Sequence, residues 1–249
     1  MLSLQKLSIS HFRCYEATRI ELPVNASMVV LTGDNGAGKT NVLEAISLLT
    51  PGKGLRGADI LEMKNKASGP EDLWAISAEI LSGNGLPARI GTGLEKGAKR
   101  RIVRINGKDA KTQAELSAVF SAIWLTPQMD RIFLDGPSNR RKFIDRLVYA
   151  QTPAHAGHIN RYDRAMRERL KLLEQGSRDA EWLDSLELQM AADAASIAAA
   201  RIAMLEGMQT QAGKLAGKAP LFPQVLLTMA GKAEEMIVNG KTPDETADE

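Results

Sequence analysis

The residues whose order could do chemistry lie at 33–40. Gly33-Asp34-Asn35-Gly36-Ala37-Gly38-Lys39-Thr40 follows the pattern G-x-x-x-x-G-K-[ST]. Glycine has no Cβ, so backbone amides at these positions can curl around phosphate oxygens. A helix starting behind the loop would turn its N-terminal amides and the positive end of its dipole on the same anion. Lys39 would reach the β and γ phosphates, and the Thr40 hydroxyl would ligate Mg²⁺. The chemistry implied is the binding of ATP, or a close relative, with Mg²⁺. A glycine-rich turn that holds no ligand is the plain alternative.

The surrounding pattern supplies elements that could position this loop. Leu7 and Ile9 alternate with Ser8 and Ser10, which predicts a half-buried strand, and Ile20 and Leu22 end a second one before Pro23. The apolar run 28–32 predicts a buried strand leading into the loop. Val42, Ala45, Ile46 and Leu49 recur at helical spacing, and Pro51-Gly52 stops that helix. Trp74, Ile76, Ala78 and Ile80 predict a further strand, 110–120 a short helix and 122–126 another buried strand. Asn84-Gly85 and Asn106-Gly107 are turn signals. From Ser138 the pattern turns helical, with stripes through Phe143 to Val148, Ile159 to Leu173 and Trp182 to Met204. The last two stripes, joined at 175–178, predict an antiparallel helical arm. The acidic residues 241–249 read as a solvated tail or loop. The fold class expected is α/β. Residues 1–137 form a nucleotide-binding lobe with a mixed sheet, and residues 138–249 an α-helical lobe.

The totals bound the remaining possibilities. The chain has 249 residues, 44% hydrophobic and 25% charged, enough for a sizeable core. Its formal net charge of +2 is near neutral, so nucleic-acid binding must come from a local patch. One cysteine, Cys14, excludes an intramolecular disulfide, and three histidines leave no Cys/His cluster for zinc. There is no continuous apolar run of membrane-spanning length and no secretory pattern at the N-terminus. A soluble, cytoplasmic setting fits these features.

Residues 7–13 (Leu-Ser-Ile-Ser-His-Phe-Arg) and 33–46 together resemble the ABC-type ATPases of chromosome maintenance, a group that includes SMC, Rad50, RecN and RecF. Leu134-Asp135-Gly136-Pro137, followed by Arg140-Arg141-Lys142-Phe143-Ile144-Asp145, and the short helical arm resemble the RecF type in particular. The resemblance covers most of the chain. It implies a protein that binds ATP and Mg²⁺, dimerises head to head around the nucleotide, and associates with DNA. RecF-like proteins act at gapped DNA and stalled forks with RecO and RecR, supporting recombinase loading and the SOS response. By position, Arg13 matches an arginine that lies near the nucleotide in relatives. Gln128 matches a Q-loop residue joining Mg²⁺ to the attacking water.

The sequence also departs from that pattern. A signature motif should open a helix, yet Leu81-Ser82-Gly83-Asn84-Gly85 follows a strand-like segment into a turn signal. A Walker B strand ends in Asp-Glu, whose carboxylates hold Mg²⁺ and polarise water. Ile132-Phe133-Leu134-Asp135 has no such glutamate and reads as a loop. RecF-like chains are longer and carry both motifs beyond the arm, so the chain reads as truncated, binding ATP without hydrolysing it.

Basic residues offer phosphate contacts. Arg100, Arg101, Arg104, Lys108 and Lys111 cluster around one expected hairpin and are DNA candidates. Arg140 and Arg141 read as salt-bridging residues, with Asp145 as an intrahelical partner for Arg141. The basic residues from Arg161 to Lys171 read as a solvated face. His11, His155 and His158 show no catalytic spacing. Two other functions compete with a DNA-repair ATPase: a P-loop small-molecule kinase or transferase, and a nucleotide-independent scaffold.

Overall fold

The computed structural model describes residues 3–23, 26–81, 85–98, 100–176, 179–218 and 224–247. The chain divides into two compact units, Met1–Thr126 and Pro127–Glu249. Against the division expected after residue 137, the segment 127–137 groups with the helical unit.

The first unit is built on a six-stranded sheet in the order β2-β1-β3-β4-β5-β6. The strands are β1 (Ser3–Phe12), β2 (Tyr15–Glu21), β3 (Ala75–Leu81), β4 (Pro87–Gly93), β5 (Ile102–Ile105) and β6 (Lys108–Asp109). Every pairing among them is antiparallel. Period-two alternation buries Leu7, Ile9, Ile76, Ala78, Ile80 and Ile90 on one face. Helix α1 (Lys39–Ser47) covers that face with Val42 and Ala45, continued by Leu48 and Leu49. Phe12 and Trp74 meet edge to face at 5.8 Å, and the Trp74 indole donates to the carbonyl of Ile60 at 2.8 Å. Asn106 and Gly107, at φ 51° and 80°, make the tight β5–β6 turn that Asn-Gly specifies. The helix expected within 110–120 is a short 3₁₀ helix, Gln113–Ala118.

Two expected strands are absent. Residues 28–32 and 122–126 are not in strands, and Met28, Val30, Ile123 and Leu125 are exposed. Both runs have strand-like composition. Neither has a neighbouring strand among the described residues to take up its N–H and C=O groups. The sheet over the described residues is therefore antiparallel where a mixed one was expected. The turn at Asn84 and most of the signature-like run, Ser82 to Asn84, lie outside the described residues.

The second unit is helical: α2 (Pro137–Gln151), α3 (His155–Glu174), α4 (Ala180–Lys218), α5 (Lys232–Val238) and α6 (Pro243–Ala247). Helices α3 and α4 run antiparallel. Arg169 bonds Glu187 at 2.7 Å and Arg161 bonds Asp193 at 2.7 Å, so positions rise on one helix as they fall on the other. Gly176, at φ 67°, ends the turn after α3. Ser177 and Arg178 of the joint lie outside the described residues. A small core of Ile144, Val148 and Met204 joins α2 to α4.

Several sequence readings of this unit are corrected. Asp145 does not pair with Arg141. It is buried and bonds His155 and Arg201, which come from other helices. His155, buried, and His158, which bonds Asp193 at 2.8 Å, both lie on α3 and are tied into the helical unit. Arg140 donates to the carbonyls of Phe133 and Asp135 at the start of α2 and forms no ion pair among the described residues. The acidic tail folds as α6: Thr242 and Glu245 cap each other, Pro243 opens the helix, and Thr246 is buried. Among the described residues α4 alone is long and apolar enough to cross a membrane, with mean hydropathy 1.2 over 18 residues. Alanines raise that figure. The helix carries Asp193 and Arg201, both ion-paired to neighbouring helices, as suits a core helix of this unit.

Candidate nucleotide-binding site

The loop 33–40 sits at the start of α1 in the first unit. Gly33, Gly36 and Gly38 have φ values of 141°, 89° and 94°, a region that side chains with a Cβ rarely enter. Gly38 is the helix N-cap, and its carbonyl accepts from the amides of Asn41 at 2.8 Å and Val42 at 3.1 Å. No first-turn side chain caps this helix and no acid lies in its first turn. Its leading amides and dipole are thus open to an anion without a competing carboxylate in the first turn. Lys39 curls over the loop and donates to the carbonyls of Gly33 and Asp34 at 2.6 and 2.7 Å. Thr40, in the first turn of α1, is exposed. The residues present fit a nucleoside triphosphate: a backbone cradle, a lysine beside it and a hydroxyl for Mg²⁺.

The β1–β2 turn, Arg13-Cys14, forms a wall of this loop. A Cβ placed on Gly38 would lie 2.6 Å from the Tyr15 hydroxyl and 2.8 Å from Cys14 Sγ. Burial, then the neighbouring Cys14, raise the Tyr15 hydroxyl above its ordinary pKa, so it stays neutral against the loop. Arg13 takes the left-handed conformation, φ 53°, and its amide donates to the carbonyl of Met63 at 2.8 Å. Its guanidinium is engaged by α1 and by the segment before Met63. Nε and Nη2 fork onto Glu44 of α1 at 2.9 and 2.6 Å, and Nη1 donates to the carbonyl of Glu62. Arg56 Nη1 also reaches Glu44, at 2.9 Å, and Asn41 Oδ1 at 2.9 Å. Asn41 Nδ2 in turn bonds Cys14 Sγ at 3.0 Å.

Sequence reasoning missed Glu44, Asn41 and Arg56. The available signal was Glu44, the one charged residue among those that α1 buries, between Val42 and Ala45.

The other sequence candidates are scattered. Gln128 lies on an exposed 3₁₀ helix, Pro127–Arg131, in the second unit. Arg101 was grouped with the DNA candidates but is buried. It donates to the carbonyls of Leu48, Thr50 and Gly52 and to Gln113, tying β5 to the end of α1. Burial lowers its pKa to about 10, so it stays charged at neutral pH. Arg104 forms ion pairs with Asp109 at 2.7 Å and Glu95 at 2.9 Å. Arg100, Lys108 and Lys111 are exposed. Residues 132–135 form a turn into α2 and no strand, as the loop reading expects.

A phosphate-type loop on an α/β scaffold defines a P-loop domain, and the chain belongs to the AAA domain family, whose model matches residues 6–181. Within that class the similarity is to RecF, with the ABC-ATPase type of fold that this implies. The chain is 44% identical over 246 residues to the DNA replication and repair protein RecF of Caulobacter vibrioides, covering 96% of the chain and 62% of the relative. It is 40% identical over 243 residues to RecF of Mesorhizobium japonicum, covering 97% and 62%. The chain thus spans less than two thirds of these relatives. Among solved structures, it resembles the recombination mediator protein RecF with ATP at a TM-score of 0.76 and 19% identity, covering 96% of this chain and 67% of that one. A second RecF structure, with an ATP analogue, matches at a TM-score of 0.71 and 21% identity, covering 88% and 58%.

Proposed function

We propose that the chain is the nucleotide-holding part of a RecF-type DNA replication and repair protein, binding Mg-ATP in the loop 33–40. The observation that carries this is the junction itself: three positive-φ glycines, an uncapped helix start and Lys39 folded over the cradle. In this reading Gly33, Asp34, Asn35, Gly36, Ala37 and Gly38 wrap the phosphates. Lys39 neutralises the terminal ones, and Thr40 holds Mg²⁺. The whole protein dimerises around ATP and binds gapped or duplex DNA in the cytoplasm. It works with RecO and RecR in recombinase loading and the SOS response. The names of its relatives and the likeness to a RecF–ATP structure support this reading.

On its own the chain holds nucleotide without turning it over. The run Ile132-Phe133-Leu134-Asp135 has neither the adjoining glutamate nor the strand that a Mg²⁺-holding, water-polarising carboxylate pair requires. Thermal unfolding with and without Mg-ATP tests the site. A ligand at one hundred times its Kd stabilises the folded state by about 2.7 kcal/mol. A rise in Tm that Lys39→Ala abolishes is the expected result. Equal shifts in both proteins would overturn the site. Steady phosphate release that vanishes in Lys39→Ala would overturn the absence of turnover.

A further inference from the structure

We propose that Glu44 is a positioning residue for nucleotide binding, acting through the β1–β2 turn on the phosphate loop; the proposal rests on the nucleotide reading above. Glu44 is 1% exposed, on the buried face of α1 with Val42, Ala45 and Ser47. A buried carboxylate is costly unless it is paired and hydrogen-bonded. Glu44 meets that requirement with two arginines from different segments. Arg13 docks by a two-bond fork, which fixes orientation as well as distance. Arg56 docks by one bond and bridges to Asn41.

These contacts close a ring around the base of the loop. Glu44 holds Arg13. Cys14 and Tyr15 follow Arg13 in the turn and stand against Gly38. Asn41 ties Cys14 back to α1, and Arg56 ties Asn41 to Glu44. Within this ring the fork from Glu44 fixes the arginine of a turn whose backbone is itself strained at Arg13. Loss of the fork lets the turn relax away from Gly38, and the cradle loses its fixed wall. The ring also sets the local charge. Two guanidinium groups and one carboxylate leave one net positive charge beside the start of α1, placed by geometry instead of diffusing on long side chains.

The test measures Mg-ATP affinity of the full chain by ligand-dependent melting, with Tm in the absence of nucleotide read in parallel. Glu44→Gln keeps the shape and one acceptor but lacks the charge that holds the fork. Weakening on the order of tenfold is expected, the lower end of what loss of an orienting partner costs a site. Glu44→Asp, which keeps the charge, recovers part of the loss. Arg13→Gln reproduces the loss, and the Arg13→Gln/Glu44→Gln double variant is no weaker than either single one, because the two act as a unit. A Glu44→Gln protein with lowered Tm and unchanged ATP affinity would make Glu44 purely structural and overturn the proposal. Additive losses in the double variant would overturn it too. If Glu44→Gln does not fold, Arg13→Gln and Arg56→Gln carry the same test, and native affinity in both overturns it. Failure of the nucleotide reading is distinct: the parent chain would show no shift, or Lys39→Ala would keep it, and the proposal falls with it.

Discussion

Arg201 and Asp145 meet in a two-pronged ion pair, Nε to Oδ1 at 2.7 Å and Nη2 to Oδ2 at 2.9 Å. His155 Nε2 donates to the same Oδ1 at 2.9 Å, and Glu234 stands 3.5 Å from Arg201. One carboxylate on α2 thus gathers groups from α3 and α4, and through Arg201 reaches α5. The members are mostly buried, so removal of one leaves charge without compensation. Asp145→Ala should destabilise the helical unit by roughly 3–5 kcal/mol, the range for breaking a buried pair. Urea unfolding followed by circular dichroism measures this, and a loss below about 1 kcal/mol would show that the pair is no more than a surface contact.

The same carboxylate sets an acid limit. Burial alone would raise the Asp145 pKa, but hydrogen bonds from His155 and Arg201, with the Arg201 charge, outweigh it and hold the carboxyl below its ordinary range. Asp193 is lowered in the same way by Arg161, His158 and Gln189 against its own desolvation. The sign follows from linkage. A depressed folded pKa contributes stability that is present above the unfolded value, about 4, and is lost as pH falls through the folded value. Melting of the native chain should therefore drop steeply below about pH 4, and Asp145→Asn should flatten that slope. An identical acid profile in the variant would remove Asp145 as its source.

Arg101 shows how burial redirects a residue that composition assigns to the surface. It closes the end of α1 by donating to the carbonyls of Leu48, Thr50 and Gly52. Lysine has no planar fork to serve several carbonyls at once. Arg101→Lys should destabilise the first unit by about 2 kcal/mol, since buried carbonyls lose their donor. It should leave the salt dependence of DNA binding unaltered. A changed salt slope with native stability would return Arg101 to the phosphate-facing group.

Gly38 and Gly36 separate steric from conformational demand. Both have left-handed φ, but only Gly38 is crowded, by Tyr15 and Cys14, whereas a Cβ on Gly36 meets nothing within 4 Å. Gly36→Ala should cost about 1 kcal/mol of strain and keep part of the ATP-induced shift in Tm. Gly38→Ala should cost more and abolish the shift. Equal behaviour of the two variants would mean that the β1–β2 turn does not constrain the loop.

β1, β3 and α1 were legible because burial of one face imposes a period on their own residues. The phosphate loop was legible because its chemistry is local: glycines, lysine and threonine within eight positions. The runs 28–32 and 122–126 were misread because strand composition says nothing about whether a partner strand is present. Glu44 with Arg13, and Asp145 with Arg201, are pairs distant in sequence, and no spacing rule links them. The α6 helix was legible in principle: Thr242 with Glu245, around Pro243, is a start signal that the acidity of the tail obscured.

Three basic residues of the β5–β6 hairpin region remain available to phosphates. With Arg101 buried and Arg104 engaged by Asp109 and Glu95, the exposed cations left are Arg100, Lys108 and Lys111. If this edge lies along a DNA backbone, each cation that neutralises a phosphate adds about 0.9 to the slope of log affinity against log salt. The triple change Arg100→Glu, Lys108→Glu and Lys111→Glu should lower duplex affinity at low salt and flatten that slope by about two to three. Stability should stay within about 0.5 kcal/mol, because the substitutions are on the surface. Fluorescence anisotropy over a salt series measures this, with Mg-ATP present. A parallel slope with unchanged affinity would place the DNA surface elsewhere on the protein, while a fall in affinity with a parallel slope would point to altered folding of the hairpin.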